Sequence, residues 1–167
     1  MLAQYANIFW DLIRTPFLHA ELVWGIVPLY FGWLVNELTS NKASARTALN
    51  TGFSFLWSSA HWLYQLFGTR AAKAPQITLD VLLAVNVAVT LIVAAVGLVA
   101  LFSGLRKKFP PGCSFLGHAR FSNYFMIAIF PIQASYLAWS WARVIAILIF
   151  AVPLWLLCHF GLAPFRK

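Results

Sequence analysis

Five long apolar segments fill most of this 167-residue chain, which contains only four carboxylate side chains. The segments are residues 18–38, 49–68, 79–105, 121–138 and 144–162. Each is close to the roughly 20 residues that an α-helix needs to cross the hydrocarbon core of a bilayer. Helices suit that environment because they satisfy every backbone hydrogen-bonding group internally. The sequence therefore predicts an all-α integral membrane protein, built as a compact bundle of five transmembrane helices.

The composition agrees with lipid as the surroundings of the chain. Hydrophobic residues make up 62% of the sequence and charged residues 10%, whereas soluble domains are about a quarter charged. The net charge of +8 would suit a nucleic-acid partner in a soluble protein. Here the basic residues lie in short loops beside the apolar segments, where they orient a membrane protein. We therefore expect membrane lipids as partners and no nucleic acid.

The N-terminal residues differ from the five apolar segments. Polar side chains recur there every three or four positions, at Gln4, Asn7, Asp11 and Arg14. This period predicts an amphipathic helix that lies flat in the headgroup region and is broken by Pro16. We divide the chain accordingly into an interfacial helix, residues 1–15, and a single transmembrane domain, residues 16–167. The features of a cleaved signal peptide are not expected here.

The basic residues predict the orientation in the membrane. With five spans, one side carries four Lys and Arg residues and the other carries eight, which are Lys42, Arg46, Arg106, Lys107, Lys108, Arg120, Arg166 and Lys167. Because cytoplasmic loops are enriched in Lys and Arg, we expect the second side to be cytoplasmic. The C-terminus would then be cytoplasmic, in the bacterial inner (cell) membrane.

The last two apolar segments leave two architectures open. Only residues 139–143 separate them, and each contains a proline, Pro131 or Pro153. Proline bends a helix because it lacks the backbone donor. The two segments form either a tight helical hairpin or one broken, re-entrant element, and in the second case the C-terminus changes sides.

Each of the first three segments carries small or polar residues at helical spacing. These are Glu21, Gly25, Pro28, Gly32 and Asn36; then Thr51, Ser54, Ser58, His61 and Gln65; then Asn86, Thr90, Gly97 and Gly104. Such steps place each set on one helix face. In lipid, small residues let helices approach closely, and hydroxyls or amides form hydrogen bonds between them. We expect the first three helices to pack on one another along these faces.

Some of these residues lie at similar distances from the outer ends of their segments. We expect them to form one polar layer in the outer half of the bundle. Glu21 and Gln65 lie about one turn from the outer ends of their segments, and His61 and Asn86 about two turns, or roughly 10 Å. Gln133 enters the layer from the fourth segment. An ionisable residue within a span is a functional hypothesis by default, and His61 is the leading candidate. It either holds helices together, serves a proton or solute pathway, or ligates a cofactor.

Two further sets lie toward the cytoplasmic side. His118 and His159, like His61, are possible cofactor ligands because imidazole binds haem and metals, although no particular cofactor is indicated. Arg106, Lys107 and Lys108 follow the third segment directly. They are predicted to contact anionic lipid headgroups, and a role in fixing topology explains them equally well.

Catalysis finds no support in the sequence. The HExxH, Walker A and GxSxG motifs do not occur, and the four carboxylates lie near segment ends or in the N-terminal helix. We expect neither an enzyme, nor a catalytic residue, nor a metal site. A small lipid-modifying enzyme is disfavoured for the same reason.

Two functions remain. Loops are too short for an extramembrane ligand-binding domain, and 17% of the residues are aromatic and available for lateral contacts. We expect a non-catalytic accessory or structural subunit of a larger integral membrane complex, which could hold lipid, quinone, carotenoid or chlorophyll at its edges. The alternative is a small transporter or channel component that uses the polar layer of Glu21, His61, Gln65 and Asn86.

Overall fold

The computed structural model describes residues 2–39, 44–69, 81–107 and 120–165, and all regular structure in these ranges is helical. The α-helices are α1 (Leu2–Leu18), α2 (Ala20–Leu38), α3 (Ala45–Leu63), α4 (Val81–Arg106), α5 (Arg120–Gln133) and α6 (Trp141–Gly161). A π-helical stretch, Tyr64–Thr69, extends α3, and a short 3-10 helix, Ala163–Phe165, follows α6. The prediction of an all-α chain is confirmed for these ranges.

Two of the described helices are long and apolar enough to cross a membrane, namely Leu82–Arg106 within α4 and Trp141–Gly161, which is α6. A third span results if α1 and α2 together count as one broken helix. The prediction of five spans is therefore not confirmed. The 14 residues of α5 extend about 21 Å at 1.5 Å per residue, less than the roughly 30 Å hydrocarbon core.

The chain turns sharply between α1 and α2. The expected break at Pro16 is wrong in position, because α1 continues through Pro16 to Leu18. The turn comes at His19, whose extended backbone, with φ −124° and ψ 102°, interrupts the helix. As a result, the axes of α1 and α2 differ in direction by 110°.

Burial along α1 follows the predicted amphipathic pattern in part, since the apolar Leu2 and Trp10 are 66% and 61% exposed. Leu12 is fully buried, whereas Gln4, Asn7 and Arg14 are exposed. α1 packs against α5 and α6, and the Phe9 ring lies 5.6 Å from the Phe150 ring near the middle of α6. α1 thus crosses the side of the bundle. Its position in the headgroup region stays a prediction.

The short helix α5 forms the centre of the bundle. From Asn123 to Ala134 every side chain except Phe125 is buried, and α5 packs on α1, α2 and α6. The aromatic ring of Phe130 lies 5.7 Å from the ring centre of Trp62. Residues 134–140 then connect α5 to α6, and the two helices contact each other. This contact fits both architectures left open by the sequence, so the choice between a helical hairpin and one broken, re-entrant element stays a prediction.

Glycine permits a close contact between α3 and α4. A Cβ atom added to Gly52 would lie 2.6 Å from the Leu101 backbone nitrogen and 2.8 Å from the Gly97 carbonyl oxygen. A Cβ atom on Gly104 would lie 2.9 Å from Cγ of Leu49. Since only hydrogen fits at these points, the two backbones touch. The glycines of the third predicted face therefore hold α4 against α3, as expected.

Candidate functional site

Asparagine and hydroxyl side chains join α2 to α3 in the interior. The Asn36 side-chain nitrogen donates to Oγ1 of Thr51 at 2.9 Å, and the Asn50 side-chain nitrogen donates to Oδ1 of Asn36 at 3.2 Å. Asn36 and Thr51 are both buried. These bonds link the two faces that the sequence predicts to meet, with Asn50 as an additional member. A buried amide that is bonded in this way fixes the pairing of two helices in lipid.

Backbone carbonyls of α2 accept further hydrogen bonds from α3. Asn50 Nδ2 donates to the Gly32 carbonyl at 2.9 Å, and Oγ of Ser54 donates to the Pro28 carbonyl at 2.9 Å. The approach at Gly32 is close, since a Cβ atom there would lie 2.5 Å from Oγ of Ser54. The small-residue face of α2 therefore exposes its backbone to the hydroxyls of α3.

A proline in α2 creates one of these acceptors. Pro28 has no backbone N–H, so the carbonyl of Trp24, four residues earlier, loses its usual intrahelical donor. The indole Nε1–H of Trp57 in α3 donates to that carbonyl at 2.7 Å. The Trp24 carbonyl thus receives its hydrogen bond from the neighbouring helix α3.

The predicted polar layer gathers around the turn between α5 and α6. The Tyr136 hydroxyl in this turn donates to Oε1 of Glu21, and Nε1 of Trp139 donates to Oδ1 of Asn86 at 2.6 Å. Gln133, at the end of α5, accepts from the Thr90 hydroxyl at 3.4 Å. Three of the predicted residues are therefore brought together through a turn whose Tyr136 and Trp139 the sequence interpretation did not include.

Tyr136 lies between the helices and remains a hydrogen-bond donor at neutral pH. Burial, and secondly the Glu21 carboxylate, raise the pKa of Tyr136 to about 12. Because the neutral phenol keeps its proton below that value, the contact with Glu21 persists throughout the physiological pH range.

His61 and Gln65 are the remaining two residues of the predicted layer. The His61 ring stacks on Phe130 with 5.7 Å between ring centres, and a Cβ atom on Gly25 would lie 2.5 Å from the same imidazole. Nε2 of His61 is buried without a hydrogen-bond partner among the described residues. Gln65 is also buried. His61 therefore packs as an aromatic ring against Phe130.

A second polar cluster lies at the opposite end of the bundle, around Glu37. The Glu37 side chain is completely buried. Its Oε2 lies 3.6 Å from Nδ1 of His159 in α6, and its Oε1 accepts from the Tyr124 hydroxyl of α5 at 3.4 Å. The charge pattern assigns Glu37 only to the cytoplasmic rim, so sequence reasoning missed this cluster. A usable signal exists: an acidic residue in the last turn of a helix opposes the helix dipole and needs another source of stabilisation.

The candidate cofactor and lipid residues are only partly described. No three His, Cys, Asp or Glu side chains in the described ranges are placed to hold a metal ion. His118 and Lys108 lie outside these ranges. Arg106 and Lys107 are exposed at the end of α4, and their contact with anionic lipid stays a prediction.

A cavity of about 190 Å³ lies between α1, α2, α5 and α6. It is bordered by Tyr124, the residue that contacts Glu37. Its walls are mainly aromatic and aliphatic and consist of Ile13, Tyr30, Trp33, Tyr124, Ile127, Leu154 and Cys158. Four helices contribute to it, so no local sequence pattern indicates it.

Asn123 allows the free-energy cost of an unpaired polar side chain in the interior to be measured. It is fully buried, and neither polar atom of its side chain has a hydrogen-bond partner among the described residues. A buried amide without partners costs about 1–3 kcal/mol. We expect Asn123→Leu to raise the free energy of unfolding in detergent by about 1–2 kcal/mol. The matched Asn36→Leu should lower it by about 1 kcal/mol, because Asn36 bridges α2 and α3.

Both variants are measured by the same reversible unfolding titration as the wild type. A loss of stability in Asn123→Leu would contradict the interpretation of Asn123 as an unpaired amide.

No known protein family matches this chain, and comparison with curated proteins and with solved structures finds no similar one.

Proposed function

We propose that this protein is a non-catalytic accessory subunit of a larger integral membrane complex and that it packs laterally through an aromatic face on α2 and α3. The aromatic face consists of Trp24, Phe31, Phe53 and Trp57. These side chains are 77%, 64%, 54% and 45% exposed, respectively. This row of large exposed rings is the observation that carries the proposal, since aromatic residues dominate the energetics of protein interfaces.

Two contacts order the aromatic face before any partner binds. The rings of Phe53 and Trp57 stack with centres 5.9 Å apart, and the Trp57 indole is fixed by its bond to the Trp24 carbonyl. Side chains that are already immobilised lose less entropy on association. Within a bilayer, the partner must satisfy its own backbone groups. We therefore propose an apolar transmembrane helix of a larger subunit as the occupant.

The bonding of the interior favours a structural role over a transport pathway. Several polar side chains of α2 and α3, including Asn36, Thr51 and Ser54, are used for contacts between these helices. A solute pathway needs polar groups that are free to exchange partners along its length. The α2–α3 seam instead supports a rigid scaffold.

The membrane arrangement is part of the same proposal. α2 packs on α3, and α3 packs along α4, a candidate span, so we place all three in the bilayer with α5 and α6. Gly104 of α4 lies beside Ala45 of α3, which brings Arg46 and Arg106 to one end of the bundle. By the enrichment of basic residues on the inner side, we propose that this end faces the cytoplasm of a bacterial cell.

Site-specific photo-crosslinking in the native membrane tests the aromatic face. A photoreactive amino acid is placed at Phe31 or, as the matched control, at Leu148 of α6, because the two side chains are 64% and 62% exposed. We expect Phe31 to give one discrete protein adduct at high yield and Leu148 to give mainly lipid adducts. The Phe31 adduct should disappear in the double variant Trp24→Ala, Trp57→Ala.

A mild-detergent native gel of the same samples should show the protein in a band larger than its monomer. Isolation as a lone monomer, with equal lipid labelling at both positions, would contradict the proposal.

A further inference from the structure

The cavity between α1, α2, α5 and α6 is large enough for one small ring. It measures about 190 Å³, and an apolar cavity of roughly 150 Å³ holds one benzene molecule. One substituted six-membered ring therefore fits.

The walls of the cavity suit an aromatic ring. Tyr30 and Trp33 come from α2, and Tyr124 comes from α5. The rings of Trp33 and Tyr124 already meet edge to face, with centres 5.8 Å apart and planes at 80°. Aromatic pairs prefer such offset or edge-to-face contacts over a face-to-face sandwich. A planar ligand can therefore add to an existing aromatic arrangement.

Tyr124 determines the polar chemistry of the cavity. Its hydroxyl proton is directed to Oε1 of the buried Glu37, so the phenolic oxygen is left to act as an acceptor. Cys158 of α6 also lines the cavity and adds a sulfur atom that is a weak acceptor. A ligand that donates a hydroxyl proton is therefore matched better than one that offers only a carbonyl or a hydrocarbon chain.

We propose that this cavity binds a single hydroxylated aromatic ring of a lipid-soluble molecule of the quinol class. The ring lies among Tyr30, Trp33 and Tyr124, and its hydroxyl donates to the Tyr124 oxygen. Any hydrocarbon tail extends out of the cavity into the bilayer. The inference is independent of the lateral packing proposed for the aromatic face, which lies on the outside of α2 and α3.

Protection of Cys158 from alkylation tests the site directly. The sequence contains two cysteines, so Cys113→Ser leaves Cys158 as the only thiol. The rate of alkylation by N-ethylmaleimide is measured in lipid nanodiscs with 4-hexylphenol, with hexylbenzene and with decane. We expect 4-hexylphenol to slow the reaction at least fivefold. Hexylbenzene, which lacks the hydroxyl, should need about fivefold higher concentration, the effect of one hydrogen bond.

The variant Tyr124→Phe separates ring binding from hydroxyl recognition. It retains the ring, so the fold should survive, and a thermal unfolding curve checks this. Its expected result is equal protection by 4-hexylphenol and hexylbenzene. Equilibrium dialysis of radiolabelled 4-hexylphenol gives a second readout, with one saturable site per protein expected.

Three results would overturn the inference. They are the absence of saturable binding, equal protection by decane, which would indicate a site for acyl chains, and a preference for 4-hexylphenol that survives in Tyr124→Phe.

Discussion

Gly52→Ala is expected to lower the free energy of unfolding by about 3 kcal/mol, at the upper end of the usual cost of overpacking. The added methyl group would lie 2.6 Å from the Leu101 nitrogen, 2.8 Å from the Gly97 oxygen and 2.9 Å from the Leu101 Cα. All three atoms belong to the backbone of α4, so no side-chain rotation relieves the clash. The helices must separate, and α4 then loses the close contact along α3.

Gly161→Ala is the matched control, because an added Cβ atom there meets nothing within 4 Å. Its stability should equal that of the wild type or exceed it by up to about 1 kcal/mol, since alanine favours the helix more than glycine does. Thermal and denaturant unfolding in the same detergent measure both variants. Similar stability of the two variants would mean that α3 and α4 do not touch at Gly52.

Glu37→Ala is expected to lower the free energy of unfolding by about 3 kcal/mol, the combined cost of a lost buried hydrogen bond and of lost packing. The carboxylate is fully buried and receives contacts from His159 in α6 and Tyr124 in α5. Its loss removes both of these contacts and opens a cavity at the end of α2. The effect combines lost pairing with lost packing.

Two further substitutions separate these contributions. Glu37→Gln keeps the size of the side chain and an oxygen for Tyr124, so the loss should be roughly half as large. Glu21→Ala removes an acidic residue that is exposed, and we expect a change below about 1 kcal/mol. Chemical denaturation at neutral pH measures all three variants. Equal effects at Glu21 and Glu37 would contradict the assignment of Glu37 to a buried cluster.

Local sequence patterns predicted the helices and one of their interfaces well. The apolar segment at 79–105 became α4, Val81–Arg106, and the segment at 144–162 became α6, Trp141–Gly161. The small-residue period of the first two segments predicted two faces that meet, and Asn36 and Thr51 of these faces form a hydrogen bond. Such patterns succeed because helical periodicity and small size are properties of one segment and its immediate face.

Features that depend on several segments escaped prediction. The number of spans depends on how α5 lies among its neighbours, and the apolar composition of α5 suits a buried core helix as well as a span. The cluster of Glu37, Tyr124 and His159 joins three helices whose order around the bundle is not encoded in any one of them. The turn at His19 likewise follows from tertiary packing of α1, since histidine carries no strong local signal for a break.

The hydrogen bond from the Trp57 indole to the Trp24 carbonyl also opposes sliding of α3 along α2. Sliding α3 past α2 by one residue would displace the indole by about 1.5 Å along the axis. That distance is enough to detach it from a carbonyl that has no other donor within α2. The bond thus favours one axial position of α3 relative to α2. A piston-like stroke of one helix along the other would therefore have to break this bond first.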